Sequence, residues 1–275
     1  MSVILYANCQ GGIGILPFFK NIWPTTKFYH NYVENEIPPD DELHRCELFV
    51  YQHSKFSEDI LKKLKSGCKI VSFPYLYDDG TFSVHNGTNG FAIIDKLLEQ
   101  GKDVLEMFDE GTIDFDLDNR RQRSIEILKS KEEKCTVNIS DYIEKNRNVP
   151  LFFTHNHPTM FLLLEVVNRI FKHLGVGVIE MGMIGWNMGT HLDQLGFCHF
   201  PTSKEKSIEA GSMLNLDKYS RKRQVKCFHG DTGDLENFYI VSDEVTRLRI
   251  ANYIEKKKNE SPKSTLCEAL SKIEP

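Results

Sequence analysis

The sequence predicts an α/β protein built on a parallel-sheet layer, and three observations predict it. β-Prone apolar runs at residues 3–7, 47–52 and 69–73 each stop at a polar residue or a proline. Between the last two, residues 57–65 place Ile60, Leu61 and Leu64 on one helical face. Strands alternating with helical patterns indicate layers rather than an all-helical bundle. A chain of 275 residues is long enough to bury a sizeable core.

Taken in order, residues 3–7 read as the first strand. Asn8-Cys9-Gln10 breaks it, and Gly11, Gly12 and Gly14 follow before an apolar helical run at 15–22. Residues 26–33 read as a second strand and the acidic, proline-containing stretch 34–42 as a loop. The third strand ends in Gln52-His53-Ser54. A helix follows, with Ser57 as its N-cap, Glu58 and Asp59 in its first turn and Gly67 to close it. Pro74 stops the fourth strand, and residues 74–90 form an irregular loop rich in aromatics. If the first and fourth strands are neighbours, that loop lies beside Cys9.

Residues 91–147 read as helices: one closing at Gly101, a short one from Val104, a long charged one over 116–134, and one capped by Ser140. Residues 150–154 are a strand running into His155-Asn156-His157-Pro158, and the most apolar helix of the chain follows, from Met160 to a stop at Gly175. Residues 175–240 carry little readable pattern. An amphipathic helix spans 244–258, with a short helix near 266–273. Residues 1–90 are thus an α/β region, 91–149 a helical insertion, and 150–275 a C-terminal α/β region completing the same domain.

Composition excludes several classes. A net charge of −5 leaves no global basic footprint for nucleic acid. No stretch approaches a membrane span, and Asn8-Cys9-Gln10 interrupts the first apolar run too early for a signal peptide. Seven scattered cysteines without a Cys-x-x-Cys argue against a disulfide framework or zinc ribbon and fit a reducing cytoplasm.

Three polar constellations remain. The first is Asn8-Cys9-Gln10 at a strand end. Helix-start N–H groups there favour anions and lower a thiol's pKa, and an amide can donate to an oxyanion. The alternative is a capping turn around a small buried thiol. The glycines match neither the dinucleotide fingerprint nor a Walker loop. The second is His155-Asn156-His157: a general base, or a cap for the following helix. His155 and His157 share a face, but two ligands do not make a metal site, and no metal is expected. The third is a pair of basic trios, Arg120, Arg121 and Arg123, then Arg221, Lys222 and Arg223. Each either meets phosphates or is a solvated face.

The strand running into Asn8-Cys9-Gln10, and the strand running into Asn156-His157-Pro158 before an apolar helix, resemble the WcbI family of capsule polysaccharide biosynthesis proteins. The resemblance covers residues 3–174. It implies a cradle-like α/β structure with a coenzyme A pocket built by loops and helices, and a coenzyme A-dependent acetyltransferase. The expected reaction moves an acetyl group from acetyl-CoA to a saccharide hydroxyl. His157 or His155 deprotonates the hydroxyl. Asn8, Gln10 and N–H groups near Gly11 hold the thioester oxyanion, and Cys9 is a covalent relay or a pocket wall. Gly11 and Gly12 let backbone approach the coenzyme, Asn156 lines its pocket, and Arg120 and Arg121 meet its phosphates. Two rivals stand beside this: an SGNH-like hydrolase using Cys9 and a histidine without coenzyme A, and a glycan-binding module using Phe73, Tyr75, Tyr77, Phe82 and Phe91.

Overall fold

The computed structural model describes residues 1–32, 36–54, 57–84, 88–147, 151–179, 217–221 and 232–260. Four parallel strands form the main sheet: β1 (Val3–Ala7), β2 (Lys27–His30), β3 (Leu48–Gln52) and β4 (Lys69–Phe73). Their order is β2-β1-β3-β4, with Ile4 opposite Lys27, Val3 opposite Leu48, and Leu48 opposite Lys69. The expected adjacency of the first and fourth strands is therefore corrected: β3 lies between them.

Every residue of β1 and β3 is buried, because helices cover both faces of the sheet. The period-two pleat sorts the side chains. Val3, Leu5, Ala7, Leu48 and Val50 join the larger core with α1 (Leu16–Ile22) and α8 (Met160–Leu174). Ile4, Tyr6, Phe49 and Tyr51 face the other side, with Leu43 of α2 (Asp40–Arg45) and Ile60 of α3 (Ser57–Leu61).

α2 begins inside the stretch expected to be a loop. Its composition is in fact a helix start: Pro39 stands at the N-cap, and Asp40, Asp41 and Glu42 fill the first turn, where the helix dipole favours negative charge. α3 ends at Leu61, short of Gly67, whose φ of 86° belongs to a later turn.

Residues 90–145 are helical as expected: α4 (Gly90–Glu99), α5 (Val104–Glu110), α6 (Leu117–Glu132) and α7 (Ser140–Lys145). Ser140 is not the cap of α7. The Glu132 carboxylate serves that end, accepting from the N–H groups of Ile139 and Ser140 and from the Ser140 hydroxyl. A separate core forms where Ile94, Val104, Phe108 and Phe115 pack with Ile250 of a C-terminal helix. That helix, α10 (Thr232–Glu260), follows the short α9 (Lys218–Arg221). Phe91 stacks on Tyr253 with centroids 4.4 Å apart, and Arg247 pairs with Asp109 at 2.8 Å.

The strand expected over 150–154 does not join the main sheet. β5 (Phe152–Thr154) pairs antiparallel with β6 (His157–Pro158) as a small hairpin. The free edge of β4 is already covered: the Val137 N–H donates to the Ser72 carbonyl and the Ser72 N–H to the Thr136 hydroxyl. α8 runs to Leu174 and stops at Gly175 with φ 73°. The helix expected over 266–273, most of 175–240, and Lys222 and Arg223 of the second basic trio lie outside the described residues.

Candidate functional site

From β1 the chain crosses to β2 on one side, then returns past β1 to β3 on the other. Such a reversal opens a crevice beyond the carboxyl ends of the two strands, where open α/β sheets bind ligands. Here that position lies beyond the ends of β1 and β3, where Asn8 follows one strand and Gln52 ends the other.

Asn8 follows β1, Gln52 ends β3, and Gln10 opens a π-helical turn (Gln10–Ile15) that leads into α1. The three form one buried network. The Gln52 side-chain N–H donates to Gln10 Oε1 at 2.8 Å, and Gln52 Oε1 accepts from the Asn8 N–H at 3.3 Å. Asn8 Oδ1 accepts from the Gln10 N–H at 2.9 Å, while Asn31, after β2, donates to the Gln52 carbonyl.

Gln10 carries the long-range connections. Its Nε2 donates to the Leu76 carbonyl at 2.8 Å and to the Asn156 carbonyl at 2.7 Å, and its Oε1 also accepts from the Leu76 N–H. Asn8-Cys9-Gln10 and His155-Asn156-His157, 146 residues apart at their joining bond, are thereby held at one crevice. The Asp78 N–H donates to the His155 carbonyl at 2.8 Å and Tyr77 meets the His155 ring edge-on, so the loop after β4 seats the tip of the hairpin. The Tyr75 hydroxyl hydrogen-bonds the Asn156 side chain, and Tyr75 lies within electrostatic reach of Cys9.

Donor accounting changes several expected roles. Both N–H groups of the Gln10 amide are engaged, so Gln10 holds the site together and leaves no donor for an oxyanion. The Gly11 and Gly12 N–H groups both donate to the Asn8 carbonyl at 3.0 Å. Those glycines permit close packing: a Cβ on Gly11 would fall 2.3 Å from Ala7 Cβ, and one on Gly12 would fall 2.6 Å from the Phe28 ring. Asn8 Nδ2 has no hydrogen-bond partner among the described residues and remains a donor.

The expected lowering of the Cys9 thiol pKa is also corrected. Burial pushes it up, outweighing the N–H groups of Gln10 and Cys9 that favour the thiolate. The His157 imidazole moves the other way: burial lowers its pKa below the usual histidine value and keeps it neutral.

Arg120 is completely buried and does not face the crevice. Its five N–H groups serve the Asp79 carboxylate and the carbonyls of Asp79, Phe82, Ser83 and Phe115, so none is left for a phosphate. Arg121 is buried against Asp78 of the same loop, with Nε 3.5 Å from the carboxylate, and donates to the Arg147 carbonyl. Arg123 is exposed and pairs with Asp116. Two arginines read as phosphate ligands thus clasp an irregular but buried loop, whose Asp78, Asp79, Thr81, Phe82 and Ser83 are all shielded from solvent.

Sequence reasoning passed over Gln52, Asn31 and the joining role of Tyr75. Gln52-His53-Ser54 repeats at the end of β3 the polar break seen after β1. That repetition was the available signal, and the strand order makes it a site. Among the described residues no group of three His, Cys, Asp or Glu side chains could hold a metal ion, and no helix is long and apolar enough to cross a membrane.

An open parallel sheet with a buried amide network at its reversal point, tied through Gln10 to the hairpin that carries His157, defines an α/β protein. A family model described as "Polysaccharide biosynthesis enzyme WcbI" matches residues 2–178. The chain belongs to the WcbI family of polysaccharide biosynthesis enzymes, and the match takes in every residue of the crevice network. Comparison with curated proteins and with solved structures returns no match.

Proposed function

We propose that the protein is a coenzyme A-dependent O-acyltransferase that moves an acetyl group to a saccharide hydroxyl. The observation that supports the reading is the Gln10–Asn156 bond, which joins the segment carrying Asn8 and Cys9 to the hairpin carrying His157.

His157, neutral near pH 7, takes the proton from the acceptor hydroxyl. The hydroxyl oxygen attacks the thioester carbonyl carbon, and Asn8 Nδ2 with the Cys9 N–H stabilises the developing oxyanion. The C–S bond breaks, the coenzyme leaves as a thiolate, and the His157 imidazolium protonates it. A thioester is already activated, so no covalent enzyme intermediate is required. The raised pKa of Cys9 supports direct transfer over a thiolate nucleophile. His155, its carbonyl tied to Asp78, supports the hairpin tip.

Thermal unfolding with and without coenzyme A tests the donor. At a hundredfold excess over Kd, binding stabilises the folded state by about 2.7 kcal/mol. A Tm unchanged by coenzyme A, together with turnover of simple esters, replaces the transferase with the hydrolase. The Cys9→Ala variant tests the chemistry. Direct transfer predicts kcat for acetyl transfer within about tenfold of wild type, whereas a covalent relay predicts abolition.

A further inference from the structure

We propose that Lys131 and Tyr75 form an anion subsite on the wall of the crevice, taking a phosphate or carboxylate group of the bound ligand. Lys131 lies on α6, and its ammonium sits over the Tyr75 ring, 5.4 Å from the centroid. The hydroxyl of that ring bonds the Asn156 side chain, and the Asn156 carbonyl accepts from Gln10, so Tyr75 links the cation to the residue that Gln10 holds.

Lys131 is a partly buried cation without a carboxylate partner among the described residues. Arg120, Arg121 and Arg169 face Asp79, Asp78 and Asp141, respectively. No carboxylate of the described residues pairs with Lys131. The Tyr75 ring and the Cys135 thiol stand near it, and burial pushes that thiol's pKa up to about 12 and so keeps it uncharged. Burial also lowers the Lys131 pKa, as expected of a cation partly withdrawn from water. A ligand oxyanion beside it would supply the missing charge and form a charge-assisted hydrogen bond. The cation–π contact positions the ammonium without neutralising it. The subsite requires the crevice to be the ligand site but does not require the ligand to be coenzyme A.

Inorganic pyrophosphate is the probe, with calorimetry on the full chain. Lys131→Met, which keeps the apolar stem, weakens its binding about ten- to a hundredfold, and Lys131→Arg retains most of it. In the wild type, pyrophosphate slows acetic anhydride labelling of Lys131, read by mass spectrometry; this arm stands even if the Met variant fails to fold. Coenzyme A and pantetheine then distinguish the anion's source. A donor phosphate predicts that Lys131→Met weakens coenzyme A but not pantetheine, and that coenzyme A displaces pyrophosphate. An anionic acceptor predicts undiminished coenzyme A binding with pyrophosphate bound alongside. Pyrophosphate that binds wild type and Lys131→Met equally, or leaves the labelling rate unchanged, overturns the subsite even if coenzyme A binds. Lys131-dependent pyrophosphate binding without any coenzyme A binding retains the subsite and rejects the acyl donor.

Discussion

Replacing His157 with alanine is expected to lower kcat for acetyl transfer by about a hundred- to ten-thousandfold, the range ascribed to a positioned general base. Coenzyme A affinity should barely change, because the acceptor proton rather than the donor is the imidazole's substrate. The pH profile of the wild type provides a second check. His157 must be neutral to act, and burial lowers its pKa from 6.5. Activity should therefore persist below the pH at which an ordinary histidine protonates, then fall as pH drops through the depressed value. Stability follows the same sign: it is intact above the unfolded pKa and declines as pH falls through the folded one. Near-wild-type kcat in His157→Ala, or an acid limb centred above 6.5, would remove His157 from the mechanism.

A comparable loss, in stability rather than rate, is expected from Arg120→Met. The guanidinium satisfies the Asp79 carboxylate and four carbonyls in one buried position. Removing it strands a buried carboxylate that retains only the Asn89 donors. Breaking such a pair costs about 3–5 kcal/mol, a large share of a typical domain's stability. Lysine should not rescue it, since one ammonium cannot reproduce the planar fork. The pair also implies acid sensitivity. Burial alone would raise the Asp79 pKa, but Arg120 and Asn89 outweigh it and hold the carboxyl below its ordinary value. That contribution is present above the unfolded pKa and is lost as pH falls through the folded one. Urea melts of both proteins measure the difference. A midpoint unchanged in Arg120→Met would show that the loop does not depend on the clasp.

The sheet was legible because its strands are covered on both faces and read as unbroken apolar runs. α8 was equally clear, with Gly175 as its stop. The hairpin was not legible from residues 150–158. What excludes β5 from the sheet is the capture of the β4 edge by Thr136 and Val137, a contact made 64 residues along the chain. The site was legible as two polar motifs, since each interrupts an apolar pattern. Their roles were not, because a donor's availability depends on which carbonyls fold up against it. Gln10 and Gly11 looked like oxyanion ligands until Leu76, Asn156 and the Asn8 carbonyl claimed their protons. Arg120 followed the same course: a surface charge run in sequence, a buried clasp once residues 79–83 fold over it.

The second core has a practical consequence. Its helices come from the family-matched portion, yet Ile250, Tyr253 and Tyr219 close it from beyond residue 178. An expression fragment trimmed to the matched boundary would keep all the crevice residues but leave Phe91, Phe108 and Phe115 without their lid. Insolubility of such a truncate would therefore reflect a missing cover and say nothing about the catalytic cleft.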